Sequence, residues 1–177
     1  EKAEEEMLSI TIKNQTTKKI VVWGIGEYHT DREDVTYINC SNENELLASF
    51  MNFWVKHYPD VITGWNVRGF DIPYLVNRMK LLFGDHIARM LSPWHKELRD
   101  WTIRNKEVAF KMKTINTKQI AGISQLDYMD LFQKFGYSYG PQESYSLNHI
   151  SHVVLGESKL SYEEHGNLRN LYRDDYQ

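Results

Sequence analysis

Cysteine is all but absent: Cys40 is the single one in 177 residues. That excludes an internal disulfide and leaves any four-ligand zinc site to be assembled almost wholly from histidine and carboxylate. A reducing cytoplasm suits such a chain. No apolar run approaches the roughly 20 residues that span a bilayer, and no signal-peptide pattern opens the sequence, so the expectation is a soluble protein without a membrane partner. Internal repeats and low-complexity tracts are lacking too. Positive charge is also short, the net charge being −3, which taken alone argues against a nucleic-acid protein.

What is present is an apolar content of 41%, enough for one domain that buries roughly 70% of its unfolded surface. The charge is unevenly placed. Between residues 89 and 118 eight cations (Arg89, Lys96, Arg99, Arg104, Lys106, Lys111, Lys113, Lys118) face three acids (Glu97, Asp100, Glu107), so the middle is basic and the remainder acidic. Attraction to a phosphate backbone follows local charge, so such a stretch suits a nucleic acid, although a solvated surface segment reads the same way. The chain opens without methionine, in the acidic, solvated residues 1–6, and closes in a polar helical pattern, which reads as a piece of a longer protein.

Periodicity predicts a β-hairpin from Leu8, Ile10 and Ile12 through a polar turn at 14–17 to the run 20–25, then a third strand over 35–38. Asn42 with Glu45 forms a capping-box pattern ahead of a helix whose stripe is Leu46, Leu47, Phe50, Phe53 and Trp54. A second helix carries Ile72, Leu75, Val76, Met79, Leu82 and Phe83 and closes at Gly84. Alternation at Val108, Phe110 and Met112 suggests a basic β-ribbon, followed by a strand over 123–128 and a helix over 129–135. Residues 137–143 read as a loop. A helix then begins at Ser146, with Leu147, Ile150, Val153 and Val154 inward and Gly156 at its end, and Ser161 caps a last, more polar one. The order of elements supports an α/β fold.

The informative stretch is Thr63-Gly64-Trp65-Asn66-Val67-Arg68-Gly69-Phe70-Asp71-Ile72-Pro73. β-branched Val61 and Ile62 lead into it, Gly64 and Gly69 let the backbone approach closely, and Asp71 precedes apolar residues at helical spacing. A buried strand therefore stops at a carboxylate that opens a helix, which sets Asp71 at a sheet edge suited to a metal. The plainer role for Asp71 is a helix N-cap, worth about 1 kcal/mol, and the two can coexist.

The spacing Asn66-x-x-x-Phe70-Asp71 resembles the second exonuclease motif of family B DNA polymerases, and its surroundings are most similar to the replicative enzymes of T-even-type bacteriophages. Gly122-Ile123-Ser124-x-Leu126-Asp127-Tyr128-Met129-Asp130-Leu131 and Ser144-Tyr145-Ser146-Leu147-Asn148-x-Ile150-Ser151 resemble them in the same order. The likeness covers nearly the whole chain, most weakly in the first forty residues and the ribbon. It implies a ribonuclease H-like fold, a mixed sheet flanked by helices, with residues 1–177 forming part of a 3′→5′ proofreading exonuclease domain. A projecting β-hairpin over about 99–118 would guide the primer strand.

The chemistry so implied is two-metal phosphodiester hydrolysis: one cation activates water and another, about 4 Å away, stabilises the leaving 3′ oxygen. Clustered carboxylates and Mg2+ or Mn2+ suit it. Asp71 is the implied catalytic residue and metal ligand. Asn66, Phe70, Arg104, Lys106, Lys111 and Lys113 are the implied DNA contacts. A loop asparagine holding its own turn and a phenylalanine packed in the core are the bland readings of Asn66 and Phe70, and Trp65 reads as core. The family's Asp-x-Glu pair is not found on a recognisable strand before Met7, nor its Tyr-x-x-x-Asp at a matching downstream position, so the chain alone is expected to be inactive. Asp130 reads as a helix cap, and His149 and His152 as surface residues rather than ligands. Tyr137, Tyr139 and Tyr145 read as packing under their loop. The partners implied are the single-stranded primer 3′ end, further polymerase domains and a sliding clamp, in a bacterial host's cytoplasm. The alternatives are a non-catalytic nucleic-acid-binding module of the same fold, or an unrelated α/β protein.

Overall fold

The computed structural model describes residues 3–96, 99–105 and 113–158, with the side chains at 99, 101–105 and 113–116 outside that description. The chain divides into two compact units, one reaching to Tyr128 and the other beginning at Met129. The architecture is mixed α/β.

In the first unit, β1 (Ser9–Lys13) pairs antiparallel with β2 (Ile20–Ile25), and β3 (Val35–Cys40) joins β2 in parallel. The expected hairpin forms because Asn14 closes its turn. The Asn14 side-chain oxygen accepts from the N–H groups of Thr16 (2.9 Å) and Thr17 (3.0 Å), an Asx-type turn. Helix α1 (Glu43–Trp54) starts as the capping pattern predicts, the Asn42 oxygen accepting from Glu45 N–H at 3.0 Å. The Glu45 carboxylate reaches back one residue further, to Ser41 N–H at 2.8 Å.

The core lies where α1 meets the sheet and helix α2 (Asp71–Ala88). Leu46, Leu47, Phe50, Met51 and Trp54 of α1 and Ile72, Leu75, Val76 and Met79 of α2 are buried around Trp23, which meets Phe50 and Phe53 edge-on. Both buried indoles find acceptors: Trp23 in Ser49 Oγ (3.1 Å) and Trp54 in the Leu91 carbonyl (2.9 Å). Gly84, the expected end of α2, is a kink with φ 80°, beyond which a further turn runs to Ala88. A short 3₁₀ turn, Arg89–Leu91, follows.

A parallel pair of strands, β4 (Val61–Gly64) and β7 (Ser124–Asp127), forms a separate sheet in the register Val61↔Ser124 to Gly64↔Asp127. A third sheet is the antiparallel pair β5 (Arg99–Asn105) and β6 (Lys113–Gln119). Residues 106–112, which hold the predicted alternation at Val108, Phe110 and Met112, lie outside the described residues.

Helix α3 (Tyr128–Phe135) leads into the second unit, and none of its residues is buried. Phe132 stacks on Tyr139 and meets Tyr145 edge-on, so those two tyrosines pack as expected, whereas Tyr137 is exposed. Helix α4 (Leu147–Leu155) begins at Ser146, whose Oγ accepts from His149 N–H, and ends at Gly156 in the left-handed region, φ 73°. Of its expected inward set only Ile150 is buried; Leu147 and Val153 are exposed. The helix expected after Ser161 lies outside the described residues.

Candidate functional site

Strands β4 and β7 run side by side in the same direction, so their carboxyl ends open on one sheet edge. In α/β proteins ligand sites gather at that edge. The chain leaves β4 at Trp65 and must reverse within a few residues to start α2. Asn66 makes this possible by adopting φ 57°, a left-handed conformation that asparagine tolerates better than most residues. Its carbonyl accepts from both Gly69 and Phe70 N–H at 3.0 Å, and the Val67 carbonyl accepts from Ile72 N–H at 3.0 Å. Val67 anchors the loop from beneath, buried in the core cluster. A Cβ at Gly69 would lie 2.5 Å from the Asn66 side-chain oxygen, so any larger residue there would displace the asparagine side chain.

The loop is also held from the neighbouring strand. Asp127, the last residue of β7, is 3% exposed, and its two carboxylate oxygens accept from Asn66 N–H (2.9 Å) and Arg68 N–H (3.0 Å). A carboxylate receiving two backbone donors makes charge-assisted bonds of roughly twice the usual strength. The hook between β4 and α2 is therefore rigid, and Asp71 is delivered at its end.

Asp71 is the first residue of α2, and Phe70, one position earlier, occupies the cap without a side-chain capping bond. The N-cap role that the sequence offers Asp71 is thus not the one it takes. Its side chain is open to solvent. Even so its pKa is raised, first by desolvation against the surrounding residues and further by the Asp127 carboxylate, with its own backbone N–H acting in the opposite sense. An acid held above its ordinary range chiefly by desolvation, with a lesser push from a neighbouring anion, is one whose charged form a cation would favour.

Phe70 is not in the core. It is 49% exposed and stacks on Tyr74, ring centroids 5.6 Å apart and planes at 30°. Trp65, also expected in the core, is half-buried, its ring 6.3 Å from that of Tyr128. Asn66 holds its own turn, the plainer of its two readings. Among the cations, Arg104 and Lys113 stand near the same end of the β5–β6 pair, Arg104 opposite Thr114 and Lys113 opposite Asn105, while Lys106 and Lys111 lie outside the described residues. Asp130 is the third residue of α3, inside its first turn, where its charge complements the helix dipole. His149 engages Gln142 (3.2 Å) and His152 engages Ser158 (3.3 Å). Among the described residues no three His, Cys, Asp or Glu side chains are grouped closely enough to hold a metal ion.

Two arrangements were not read from the sequence. One is the Asp127 tether. The other is a buried ion pair, Glu43 with Arg78, joined by two bonds of 2.6 Å with both residues 7% exposed. Arg78 Nη1 also donates to the carbonyls of Ala3 (3.0 Å) and Glu4 (3.1 Å), and Glu43 accepts from Met7 N–H at 2.8 Å. The Tyr74 hydroxyl bonds the Glu5 carbonyl. One face of α2 therefore carries Asp71 at its start and grips residues 3–7 one and two turns further on. The signal available in the sequence was an arginine at a core-facing position of an apolar helix, which calls for a buried acid.

A family model described as the exonuclease domain of DNA polymerase family B matches residues 2–150. The DNA-directed DNA polymerase of Escherichia phage RB69 is 40% identical over 145 residues, 82% of this chain and 15% of its own length. That of Enterobacteria phage T4 is 31% identical over 143 residues, 81% and 15%. The DNA polymerase delta catalytic subunit of Caenorhabditis elegans is 29% identical over 140 residues, 79% and 12%. The chain thus spans about 15% of the length of the phage relatives.

Proposed function

This chain belongs to the exonuclease-domain family of the family B DNA polymerases, and from that premise we propose that it contributes the proofreading 3′→5′ exonuclease of a phage-type replicative DNA polymerase. The substrate is the unpaired 3′ end of a primer strand. The observation that carries this reading is Asp71: a solvent-facing carboxylate with a raised proton affinity, at the carboxyl edge of two parallel strands, on a loop fixed by a second acid.

Asp71 offers one hard oxygen ligand of the kind Mg2+ or Mn2+ takes. Two such cations supply an activated water and stabilise the leaving 3′ oxygen when bound. The described residues do not complete that site, since the Asp127 oxygens are turned to backbone donors and no group of three ligands surrounds Asp71. In this reading the further carboxylates come from outside the residues described around Asp71. Around Asp71, Asn66 sets the loop and Phe70 offers an exposed ring to an unpaired base.

The ribonuclease H-like reading assigns the β5–β6 pair to a hairpin insertion over about 99–118 that contacts DNA through Arg104, Lys106, Lys111 and Lys113. It also calls for a central strand bridging the sheets. The placement of β1 and β4 in separate sheets, each pairing with a single strand among the described residues, is consistent with such an addition. Further polymerase domains, a sliding clamp and a bacterial host's cytoplasm belong to the same proposal; no helix among the described residues is long and apolar enough to cross a membrane.

The test is manganese-dependent degradation of single-stranded DNA by the protein extended to the length of its phage relatives. Asp71→Ala is expected to lower the rate by at least a hundredfold, the scale on which loss of a catalytic group is felt. Equal rates would remove Asp71 from the catalytic list. The rival is a non-catalytic module that binds single-stranded DNA. That reading gains if the extended protein binds DNA salt-sensitively and hydrolyses none.

A further inference from the structure

Gly64 and Asp127 are the last paired residues of β4 and β7. The next residue on each strand is aromatic, Trp65 and Tyr128, so both rings emerge on the sheet edge from which the Asp71 loop departs. Their centroids are 6.3 Å apart with planes inclined at 48°. Trp65 is half-buried while Tyr128 is 57% exposed, so the indole backs a phenol ring that faces water. At the end of the same loop Phe70 is also exposed and is backed by Tyr74. Two supported aromatic rings thus adjoin a loop that is itself pinned by Asp127 to the strand ending beside Tyr128.

Large apolar rings left in water forgo the burial that would stabilise the fold, and a ring held against a second ring has little rotamer freedom left to lose on binding. Such a platform suits a flat partner. Every nucleobase has a π-face, and bases stack on aromatic side chains without regard to sequence. In a duplex those faces are already taken by neighbouring bases; in a frayed strand they are free.

We propose that Tyr128, supported by Trp65, is a stacking site for an unpaired nucleobase of the strand whose 3′ end reaches Asp71. This rests on the exonuclease reading and adds to it a residue that selects single-stranded over paired DNA. The phenol hydroxyl plays no part: the ring is what binds.

The experiment measures binding of labelled oligothymidylate to this chain by fluorescence anisotropy, in EDTA so that hydrolysis plays no part. Wild type, Tyr128→Ala and Tyr128→Phe are compared, each checked for its fold by circular dichroism. Tyr128→Ala should bind about 5- to 150-fold more weakly, the loss of one stacked base, and Tyr128→Phe within about twofold of wild type. An oligonucleotide whose 3′-terminal bases are replaced by abasic sites should bind wild type and Tyr128→Ala alike. The proposal is overturned if Tyr128→Ala binds oligothymidylate as tightly as wild type, or if wild type does not bind it measurably at low salt. It is equally overturned if the abasic strand discriminates between the two proteins as strongly as the thymidylate does, which would assign the tyrosine to the fold or to contact with another part of the protein. Because no hydrolysis enters, failure here leaves the Asp71→Ala rate test intact, and failure of that test leaves this one readable.

Discussion

At the scale of single residues, Asp71 is set between opposing demands. As the first residue of α2 its negative charge favours the helix dipole, worth about 0.3–1 kcal/mol. Desolvation and the Asp127 anion act against the charged form more strongly, because the net pKa is raised. In the window between the unfolded value near 3.8 and the raised folded value, the folded state holds a proton that the unfolded state has released, so stability falls as pH rises. Asp71→Asn removes that dependence. Urea unfolding of the pair should therefore show the variant gaining on wild type as pH rises from the unfolded value near 3.8 through the raised folded one, and a constant difference above it. The gain should stay under about 1 kcal/mol because the carboxylate faces solvent. A difference that shrinks as pH rises would show that the dipole outweighs desolvation and the Asp127 charge.

Asp71 and Asn66 could be located from the sequence because strand, loop and helix are contiguous there, and local pattern suffices. Asp127 lies in a stretch that resembles the family, but its tethering role could not be read there, since the N–H groups it serves are 61 and 59 residues away. Of the two readings of Phe70, a DNA contact or core packing, the core one is not what the structure shows, for a different reason. A phenylalanine beside an apolar helix is ordinarily core, and only the left-handed turn at Asn66 and the hook it creates leave this ring outside.

At the scale of elements, α2 joins two tasks. Its start presents Asp71, and further along it Tyr74 and Arg78 hold residues 3–7 against Glu43 at the start of α1. Burial is the largest influence on the Glu43 pKa and works to raise it, but the Arg78 hydrogen bonds, the Met7 N–H and the Arg78 charge together outweigh it and the net shift is downward. Breaking such a pair costs more than removing it. Arg78→Met leaves a buried carboxylate unpaired and should lose about 3–5 kcal/mol in urea unfolding. The double variant Arg78→Met with Glu43→Leu should recover most of that loss, short of the part due to Met7 N–H and the Ala3 and Glu4 carbonyls, which no longer have these partners. If the double variant were as unstable as the single one, the clamp on residues 3–7 would outweigh the charge pair itself. Helix α2 was legible by its apolar spacing, and even its break at Gly84 was placed correctly. Its grip on the N-terminal segment was not legible, because a backbone carbonyl leaves no trace in sequence.

At the scale of the whole molecule, stability is unevenly shared. The first unit contains the core cluster around Trp23, Phe50 and Met79. Among the described residues of α3 and α4 only Ile150 is buried, while Phe135, Tyr137, Leu147 and Leu155 are exposed. Apolar periodicity announced both helices correctly, as the caps at Ser146 and Gly156 bear out. Periodicity cannot tell whether a partner for that face is at hand, and here the expected inward residues of α4 are mostly in water. Local opening free energies follow burial and backbone protection. Native-state hydrogen exchange should therefore find the amides of α1 and of α2 before Gly84 exchanging only through global unfolding, and those of α3 and α4 through smaller openings at least about 2 kcal/mol less costly, a thirtyfold or greater difference in protection. Addition of the remaining residues of a phage-length protein should raise protection in α3 and α4 selectively if their exposed apolar residues are covered there. Equal protection across all four helices would show that the two units open as one, and that the exposed rings of the second cost the fold little.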